Sequence, residues 1–176
     1  PDDPHALRTA FMNVSQWADV VISTGGVSVG DADYTKDVLA ELGTIDFWRI
    51  AMKPGKPFAF GRLGQGWFFG LPGNPVSTAV TYHQLVVPAL RYLAGEQLFA
   101  STSFMAQAIT PLKKQPGRMD FQRGLLTNEQ GINRVTSVGS QSSGVLSSMA
   151  NANCYICLER ERGSVAAGEW VNVMPF

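Results

Sequence analysis

Two aspartates that follow a glycine-rich turn are the residues of this sequence with the clearest capacity for chemistry. Asp31 and Asp33 lie in Thr24–Thr35 (TGGVSVGDADYT), between an apolar run and a helical pattern. Backbone N–H groups at such a strand-to-helix turn can bind an anion, and glycine lets the main chain approach it closely. Because carboxylates repel phosphate, the pattern favours a divalent metal that bridges phosphate and carboxylate. An ordinary turn with solvated aspartates is the alternative.

The same loop lacks the residues of two common nucleotide-binding motifs. Gly25 and Gly30 have the spacing of a Walker A loop, but Asp31-Ala32 follows where Lys-Ser or Lys-Thr is required. The pattern G-x-G-x-x-G does not occur, which excludes a Rossmann dinucleotide site.

Two more loops combine a stiff backbone with polar side chains. In Met52–Pro57 (MKPGKP), two prolines fix the backbone around Lys53 and Lys56, although a surface turn with solvated lysines has the same pattern. Gly70–Ser77 (GLPGNPVS) follows a hairpin and begins a helix, with Asn74 as its N-cap. Both loops could present polar groups to a ligand.

The elements that must position these loops alternate between helices and short apolar strands. This alternation predicts a layered α/β domain with parallel strands, whose ligands bind at the strand ends. The predicted elements are a helix capped by Asp3 with Pro4 at its first position, a strand over Val20–Ser23, a helix to about Leu42, a strand near Phe47–Ala51, a hairpin of Phe58–Phe60 and Trp67–Phe69, and a helix from Pro75 towards Leu93 that is kinked or restarted at Pro88.

After Gly95 the helical periodicity fades and short alternating runs replace it. Turn signals such as Gln115-Pro116-Gly117 separate these runs, a pattern typical of a small β-barrel or sandwich. The predicted strands are Phe104–Ile109, Met119–Leu126, Ile132–Val138, Tyr155–Arg160 and Trp170–Met174.

Two polar residues of this second half are candidates for an anion site. Alternation places Arg123 on the same strand face as Phe121 and Leu125, where a guanidinium needs an anionic partner or an escape to solvent. Ser143 lies in a glycine-bounded, hydroxyl-rich loop that could donate to an oxyanion, although a plain surface loop fits the pattern nearly as well.

Composition restricts the classes of partner. The chain has 176 residues, no net charge and no polybasic run, which argues against nucleic acid or an anionic membrane as the main partner. No apolar stretch has the length of a transmembrane helix.

Cys154 and Cys157 lie in an alternating run that points their sulfurs to opposite faces, so we expect packed cysteines without a metal or redox role. His83 is likewise expected to be packed or exposed rather than a ligand.

The three loops, in this order and at these spacings, resemble the molybdopterin molybdenumtransferases, the family of bacterial MoeA proteins and the E domain of gephyrin. The resemblance continues through GRMDFQRG (Gly117–Gly124) and Gly168-Glu169-Trp170, so it covers essentially the whole chain. It implies a three-layer α/β/α domain of the molybdenum-cofactor-biosynthesis type over residues 1–98, with its first part missing, and a C-terminal β-barrel domain over residues 101–176. Because members of the family are much longer, we expect this chain to be a C-terminal fragment.

The resemblance implies a Mg²⁺-dependent transferase that inserts molybdate into adenylylated molybdopterin and releases AMP. Asp33 would carry Mg²⁺ and would act in catalysis with Lys53 and Lys56, which would pair with phosphate or molybdate oxygens. The resemblance implies substrate contacts for Gly25, Gly26, Ser28, Arg49, Asn74 and Ser77, and molybdate contacts for Arg123 and Ser143.

The resemblance further implies a cytoplasmic homodimer in which the other subunit completes the pocket, so we expect the fragment alone to be inactive. Two other functions stay open at this stage. A molybdopterin adenylyltransferase has a similar glycine-and-aspartate loop, but the later loops and the β-rich second half argue against it. A gephyrin-like scaffold would bind a partner protein, and the intact Asp33, Lys53 and Lys56 argue against a purely structural role of this kind.

Overall fold

The computed structural model describes residues 3–27, 34–97, 102–142, 144 and 146–176. The chain divides into two compact units, Pro1–Ile50 with Gly55–Tyr82, and Ala51–Pro54 with His83–Phe176. These units do not coincide with the predicted domains 1–98 and 101–176, because residues 83–97 group with the second unit. The predicted bounds of the two family domains, residues 1–98 and 101–176, therefore stay a prediction.

The first unit contains a four-stranded sheet with the order β1-β5-β4-β2. β1 is parallel to β5, whereas β4 is antiparallel to both β5 and β2. The strands are β1 (Val20–Thr24), β2 (Gly43–Arg49), β4 (Pro57–Leu63) and β5 (Gly66–Leu71), and the short β3 (Met52–Lys53) belongs to the second unit.

The sheet is mixed, which corrects the expected parallel sheet. Leu63 pairs with Gly66 across the two residues between them, and so short a connection can join only antiparallel strands. The segment between β2 and β4 is also closed at its base, because Ile50 N donates to Lys56 O at 2.8 Å. The α/β class and the predicted hairpin are confirmed.

Two helices pack against this sheet, α1 (Pro4–Val14) and α2 (Tyr34–Leu42). The predicted cap of α1 is confirmed, since the Asp3 carboxylate accepts a hydrogen bond from His5 N at 2.9 Å. The core of this unit contains Phe11 from α1, Leu39 from α2 and Phe68 from β5. The Phe11 and Phe68 rings meet edge to face, with centroids 5.8 Å apart, a favoured aromatic geometry.

The predicted helix from Pro75 towards Leu93 is present as three segments. These are α3 (Pro75–Thr81), a π-helical turn (Tyr82–Val86) and α4 (Val87–Leu93). Pro88 has no N–H to donate to the preceding turn, and the wider π turn lies just before it. The interruption predicted at Pro88 is therefore spread over the five residues of that turn. None of the helices in the described part of the chain is long and apolar enough to cross a membrane.

Five strands of the second unit form a closed barrel, which confirms the predicted barrel and its strands. The order is β7-β8-β6-β10-β9, and pairing between β9 and β7 closes the ring. β3 pairs in parallel with the start of β7, and a short helix, α5 (Ser147–Ala150), precedes β9. Fully buried side chains such as Val135, Ile156 and Val173 fill the interior. The barrel strands are β6 (Phe104–Ala108), β7 (Met119–Glu129), β8 (Ile132–Ser137), β9 (Cys154–Leu158) and β10 (Trp170–Pro175).

Gly61 approaches the backbone of β2 so closely that a side chain has no room. A Cβ at this position would lie 2.1 Å from Thr44 O on the paired strand. We expect Gly61→Ala to lower the free energy of unfolding by about 2 kcal/mol or more, measured by urea denaturation. Gly163→Ala is the matched control, because a Cβ there meets nothing within 4 Å. Equal losses in the two variants would contradict the register of β2 and β4.

Candidate ligand-binding site

The register of the four-stranded sheet brings three of the predicted loops to one edge. β1 and β5 end side by side, since Thr24 pairs with Leu71. β2 ends opposite the start of β4, since Arg49 pairs with Pro57. Because β4 and β5 are antiparallel neighbours, the end of β5 lies at the same edge as the start of β4. The glycine loop, Gly55–Lys56 and the loop after β5 therefore emerge together.

The glycine loop begins with two residues in the left-handed region. Gly25 has a φ of 84° and Gly26 a φ of 69°, conformations that glycine adopts without steric cost. A Cβ on Gly26 would also lie 2.3 Å from Thr35 Oγ1. Gly25 N donates to Leu71 O at 2.9 Å, which fastens the loop to the end of β5. The predicted substrate contacts of both glycines stay predictions.

The loop after β5 is held by its own side chains. Asn74 caps α3, as predicted, and its Oδ1 accepts from the N–H of Ser77 at 3.4 Å. The Thr78 hydroxyl donates to Asn74 O at 2.9 Å and also contacts Pro72 O. Ser77 is buried. Asn74 and Ser77 thus lie at the sheet edge, and their contacts with a substrate stay predictions.

The loop after β5 lies against the glycine loop. A Cβ on Gly73 would lie 3.4 Å from the Cα of Gly25, which is van der Waals contact distance, so the two backbones lie side by side. This contact joins two of the predicted loops into one surface.

Two cations lie at the same edge, next to β2 and β4. Arg49 is the last residue of β2 and Lys56 directly precedes β4, and both side chains are exposed. Within the described part of the chain, neither side chain forms an ion pair. An anion at this edge could therefore pair with either cation without competition from a described carboxylate.

Lys53 lies in the second unit, where the chain pairs with the barrel. It stands opposite Asp120 in the β3–β7 pair, and Met119 N donates to Ala51 O at 2.9 Å. Lys53 Nζ lies 3.8 Å from Asp120 Oδ2, and the Lys53 side chain remains 51% exposed. The ammonium is thus anchored near the barrel wall and still open to a ligand.

A cavity of about 640 Å³ adjoins Lys53 in the second unit. Its lining contains further charged residues that sequence reasoning missed: Lys113, Lys114, Arg118 and Asp120. The sequence offered one signal, since Lys113 and Arg118 flank a turn that had been predicted. Nothing in the pattern indicated that this turn, β3 and β7 share one cavity.

Arg123 is buried in the barrel and is only 1% exposed. Its Nε donates to Ser148 Oγ at 3.2 Å, and its Nη2 donates to the carbonyl oxygens of Ser140 and Ser142 at 3.1 and 3.2 Å. Among the described residues, neutral oxygens accept these three hydrogen bonds, and the guanidinium does not reach solvent, which corrects that alternative. The expected anion site stays a prediction. Burial lowers the pKa of Arg123. Its proposed role towards molybdate stays a prediction, and it does not line the cavity beside Lys53.

Three predicted site residues, Ser28, Asp33 and Ser143, lie outside the described residues, as does Asp31. Their predicted roles towards phosphate, Mg²⁺ and molybdate stay predictions. Among the described residues, no group of three or more His, Cys, Asp and Glu side chains could hold a metal ion.

His83 is half-buried among aromatic side chains. Its Nδ1 lies 2.9 Å from Tyr155 Oη, and its ring stacks on Phe176 with centroids 5.7 Å apart. Burial lowers the pKa of His83, which favours the neutral imidazole. The residue is packed, in agreement with its predicted environment.

The two cysteines of β9 are buried and free. Burial raises the pKa of Cys154 to about 11 and that of Cys157 to about 12, so both thiols stay protonated near neutral pH. Since the thiolate is the reactive form, neither thiol has the environment of a redox cysteine.

We expect neither thiol to react with Ellman's reagent at pH 8 in the folded protein, because only about one Cys154 thiol in a thousand would be ionised. Both should react after unfolding in guanidinium. Since folding raises these pKa values, the thiols should leave stability unchanged below about pH 8 and lower it as the pH rises towards 11. Rapid reaction of the folded protein at pH 8 would contradict the burial of β9.

Two protein families match separate parts of the chain, one of which contains the clustered loops and the other the barrel. Residues 1–92 match the family described as "Probable molybdopterin binding domain", and residues 105–176 match "MoeA C-terminal region (domain IV)". The sheet with its clustered loops thus lies in a domain of the probable molybdopterin-binding class, and the closed barrel lies in the MoeA C-terminal region. The chain belongs to the molybdopterin molybdenumtransferase family, to which its sequence motifs pointed.

Curated relatives are similar over the whole chain. The chain is 52% identical to the molybdopterin molybdenumtransferase of Haemophilus influenzae, with all of this chain and 44% of the relative covered. It is 31% identical to gephyrin of Dictyostelium discoideum, with 99% of this chain and 28% of the relative covered. The chain therefore spans less than half the length of these relatives.

Solved structures share the fold. A MoeA protein of Pyrococcus horikosii, described as a molybdopterin biosynthesis protein, matches with a TM-score of 0.78 and 28% identity, over 99% of this chain and 41% of its own. A molybdenum cofactor biosynthesis protein of Pyrococcus furiosus matches with a TM-score of 0.77 and 23% identity, over 100% of this chain and 56% of its own. The second likeness concerns the fold alone.

Proposed function

We propose that this chain forms the pterin-binding and barrel part of an enzyme of molybdenum cofactor biosynthesis. The enzyme inserts molybdate into adenylylated molybdopterin and releases AMP. The observation that supports this proposal is the single sheet edge that holds the glycine loop, the Asn74 loop and two cations that form no ion pair with a described residue. The names of the relatives agree with it, and the activity of the whole protein is a proposal because this chain spans 44% of the Haemophilus protein.

The charges at the sheet edge suit a substrate that carries several phosphates. Arg49 and Lys56 would pair with phosphate oxygens, and Gly25 and Gly26 would let the main chain approach them. Lys53, in the second unit, would pair separately with phosphate or molybdate oxygens. At the sheet edge, Arg49 and Lys56 would stabilise the charge that develops when the bond between the two phosphates breaks and AMP leaves.

We assign Mg²⁺ to Asp33, on the family resemblance. Carboxylate and phosphate oxygens are the ligands that Mg²⁺ prefers, and the bound ion would neutralise charge on the phosphate that leaves. The described residues supply no carboxylate cluster for the ion. Their role in the proposal is therefore to bind and orient the anionic groups.

We further propose that the complete protein is a cytoplasmic homodimer that binds neither nucleic acid nor membrane. This chain contributes the sheet edge of its first unit to the substrate pocket. Parts of the relatives that this chain does not match would complete the pocket, so the chain alone should not turn over substrate. Sedimentation of the complete protein would test the dimer.

We expect Lys56→Ala to lower molybdate-dependent release of AMP by about 10²-fold in the complete protein, because a cation would no longer meet the developing charge. Arg62→Lys is the control on the same strand, since Arg62 lies at the opposite end of β4 and donates to Gln65 O. Unchanged release in Lys56→Ala would contradict the role of the edge. Adenylylation of molybdopterin with ATP by this protein would instead support the adenylyltransferase function.

Removal of Mg²⁺ with EDTA should abolish release of AMP, and added Mg²⁺ should restore it. Asp33→Asn should be inactive with or without added Mg²⁺, because the amide is a neutral and weaker ligand for the ion. Dimerisation should be the same in the variant and the parent protein. Full activity of Asp33→Asn would refute the assignment of the metal to this residue.

A further inference from the structure

We propose that the cavity beside Lys53 is an anion-binding site of the barrel, in which Lys113 and Arg118 contact a tetrahedral oxyanion and Asp120 positions Lys53. Only the identity of the natural ligand rests on the proposed function. This ligand would be molybdate or a phosphate group of the substrate. Lys113, Arg118 and Asp120 have no part in the roles assigned above.

The cavity has an excess of positive charge. Four cations line it against one carboxylate: Lys53, Lys113, Lys114 and Arg118 against Asp120. Lys53 pairs with the carboxylate, whereas neither Lys113 nor Arg118 forms an ion pair within the described part of the chain. Clefts lined by charge of one sign concentrate ligands of the opposite sign. A tetrahedral oxyanion would meet both exposed cations here.

Lys114 orders the wall of the cavity. The residue is only 6% exposed, and its Nζ donates to the carbonyl oxygens of Gln115, Arg160 and Arg162 at 3.3, 3.2 and 2.8 Å. These bonds tie together two segments that are distant in the sequence. Lys113 and Arg118 therefore project from a fixed turn, so an anion would not have to order it on binding.

Asp120 connects Lys53 to the rest of the barrel. Its Oδ2 lies 3.8 Å from Lys53 Nζ and accepts from Gln122 Nε2 at 3.2 Å. Gln122 is buried, and the same Nε2 donates to Lys113 O at 2.9 Å. Gln122 thus fixes the carboxylate of Asp120, and this carboxylate in turn pairs with the flexible side chain of Lys53. Asp120 therefore acts as a positioning residue for Lys53.

The uncharged lining indicates the chemical class of the ligand. Among the described residues it consists of Gln115, Pro116 and Ser164, and none of these is aromatic. A pterin or purine ring would therefore find no aromatic face on which to stack. The cavity suits an inorganic oxyanion or a terminal phosphate group, and its volume lies within the range of small-molecule sites.

Protection of lysines from acetylation would test the site in the complete protein. Increasing sodium phosphate, and separately sodium molybdate, should slow acetylation of Lys113 and Lys53, read by mass spectrometry against matched sodium chloride. Arg118→Ala should raise the phosphate concentration for half-protection of Lys113 about fivefold, because one close charge is lost. Arg160→Ala is the control, since its exposed side chain pairs with Glu161 and does not line the cavity.

The role of Asp120 is tested by two substitutions. Asp120→Asn should abolish protection of Lys53 by phosphate and leave protection of Lys113 in place, and Asp120→Glu should restore the protection of Lys53. A merely structural role would instead lower the protection of both lysines in Asp120→Asn, which would refute the positioning.

The outcomes separate this inference from the proposed function. Equal acetylation of Lys113 in phosphate, molybdate and chloride, with normal AMP release, would overturn the cavity site and leave the proposed function intact. An unchanged half-protection concentration in Arg118→Ala would also overturn it. Protection of Lys113 in a protein that releases no AMP from adenylylated molybdopterin would support the site and refute the function.

Discussion

The register of the four-stranded sheet is the constraint on which the candidate site depends. Thr24 opposite Leu71 and Arg49 opposite Pro57 place the ends of three strands and the start of a fourth at one edge. A slip of one residue would turn every side chain to the other face of the sheet. Tight contacts oppose such a slip, since a Cβ on Gly70 would lie 2.6 Å from Val27 Cγ1. Packing in the sheet interior thus sets the geometry of the loops.

The two lysines of Met52–Pro57 belong to different compact units. Lys56 directly precedes β4 of the sheet, whereas Lys53 pairs with Asp120 near the start of β7 in the barrel. The backbone bond between Ile50 and Lys56 closes the segment that separates them. A short stretch of sequence therefore supplies one cation to each unit, and each cation is positioned by a different set of strands.

Much of this architecture could be predicted because it follows from local rules. The five barrel strands follow period-two alternation between turn signals, and the cap at Asn74 follows from residue type alone. The predicted hairpin was confirmed, but the alternation of helices and strands did not indicate that β2 would pair with β4 in the antiparallel direction, so the mixed sheet was not predicted.

Other features depend on residues that are distant in the sequence. Alternation placed Arg123 on an apolar face but could not show that the carbonyl groups of Ser140 and Ser142 would accept hydrogen bonds from its guanidinium. The cavity beside Lys53 joins β3, the turn near Pro116 and the start of β7, which no periodicity connects. Long-range pairing in the folded chain creates both environments.

The order of the barrel strands has a consequence for synthesis on the ribosome. β6 pairs with β10, with Gln107 opposite Trp170, so its partner emerges about sixty residues later. At the usual rates of translation this interval lasts several seconds, during which one edge of β6 lacks its native partner. An open strand edge can pair with another nascent chain. Codon usage that slows elongation between these strands would therefore favour aggregation, even though it leaves the finished barrel unchanged.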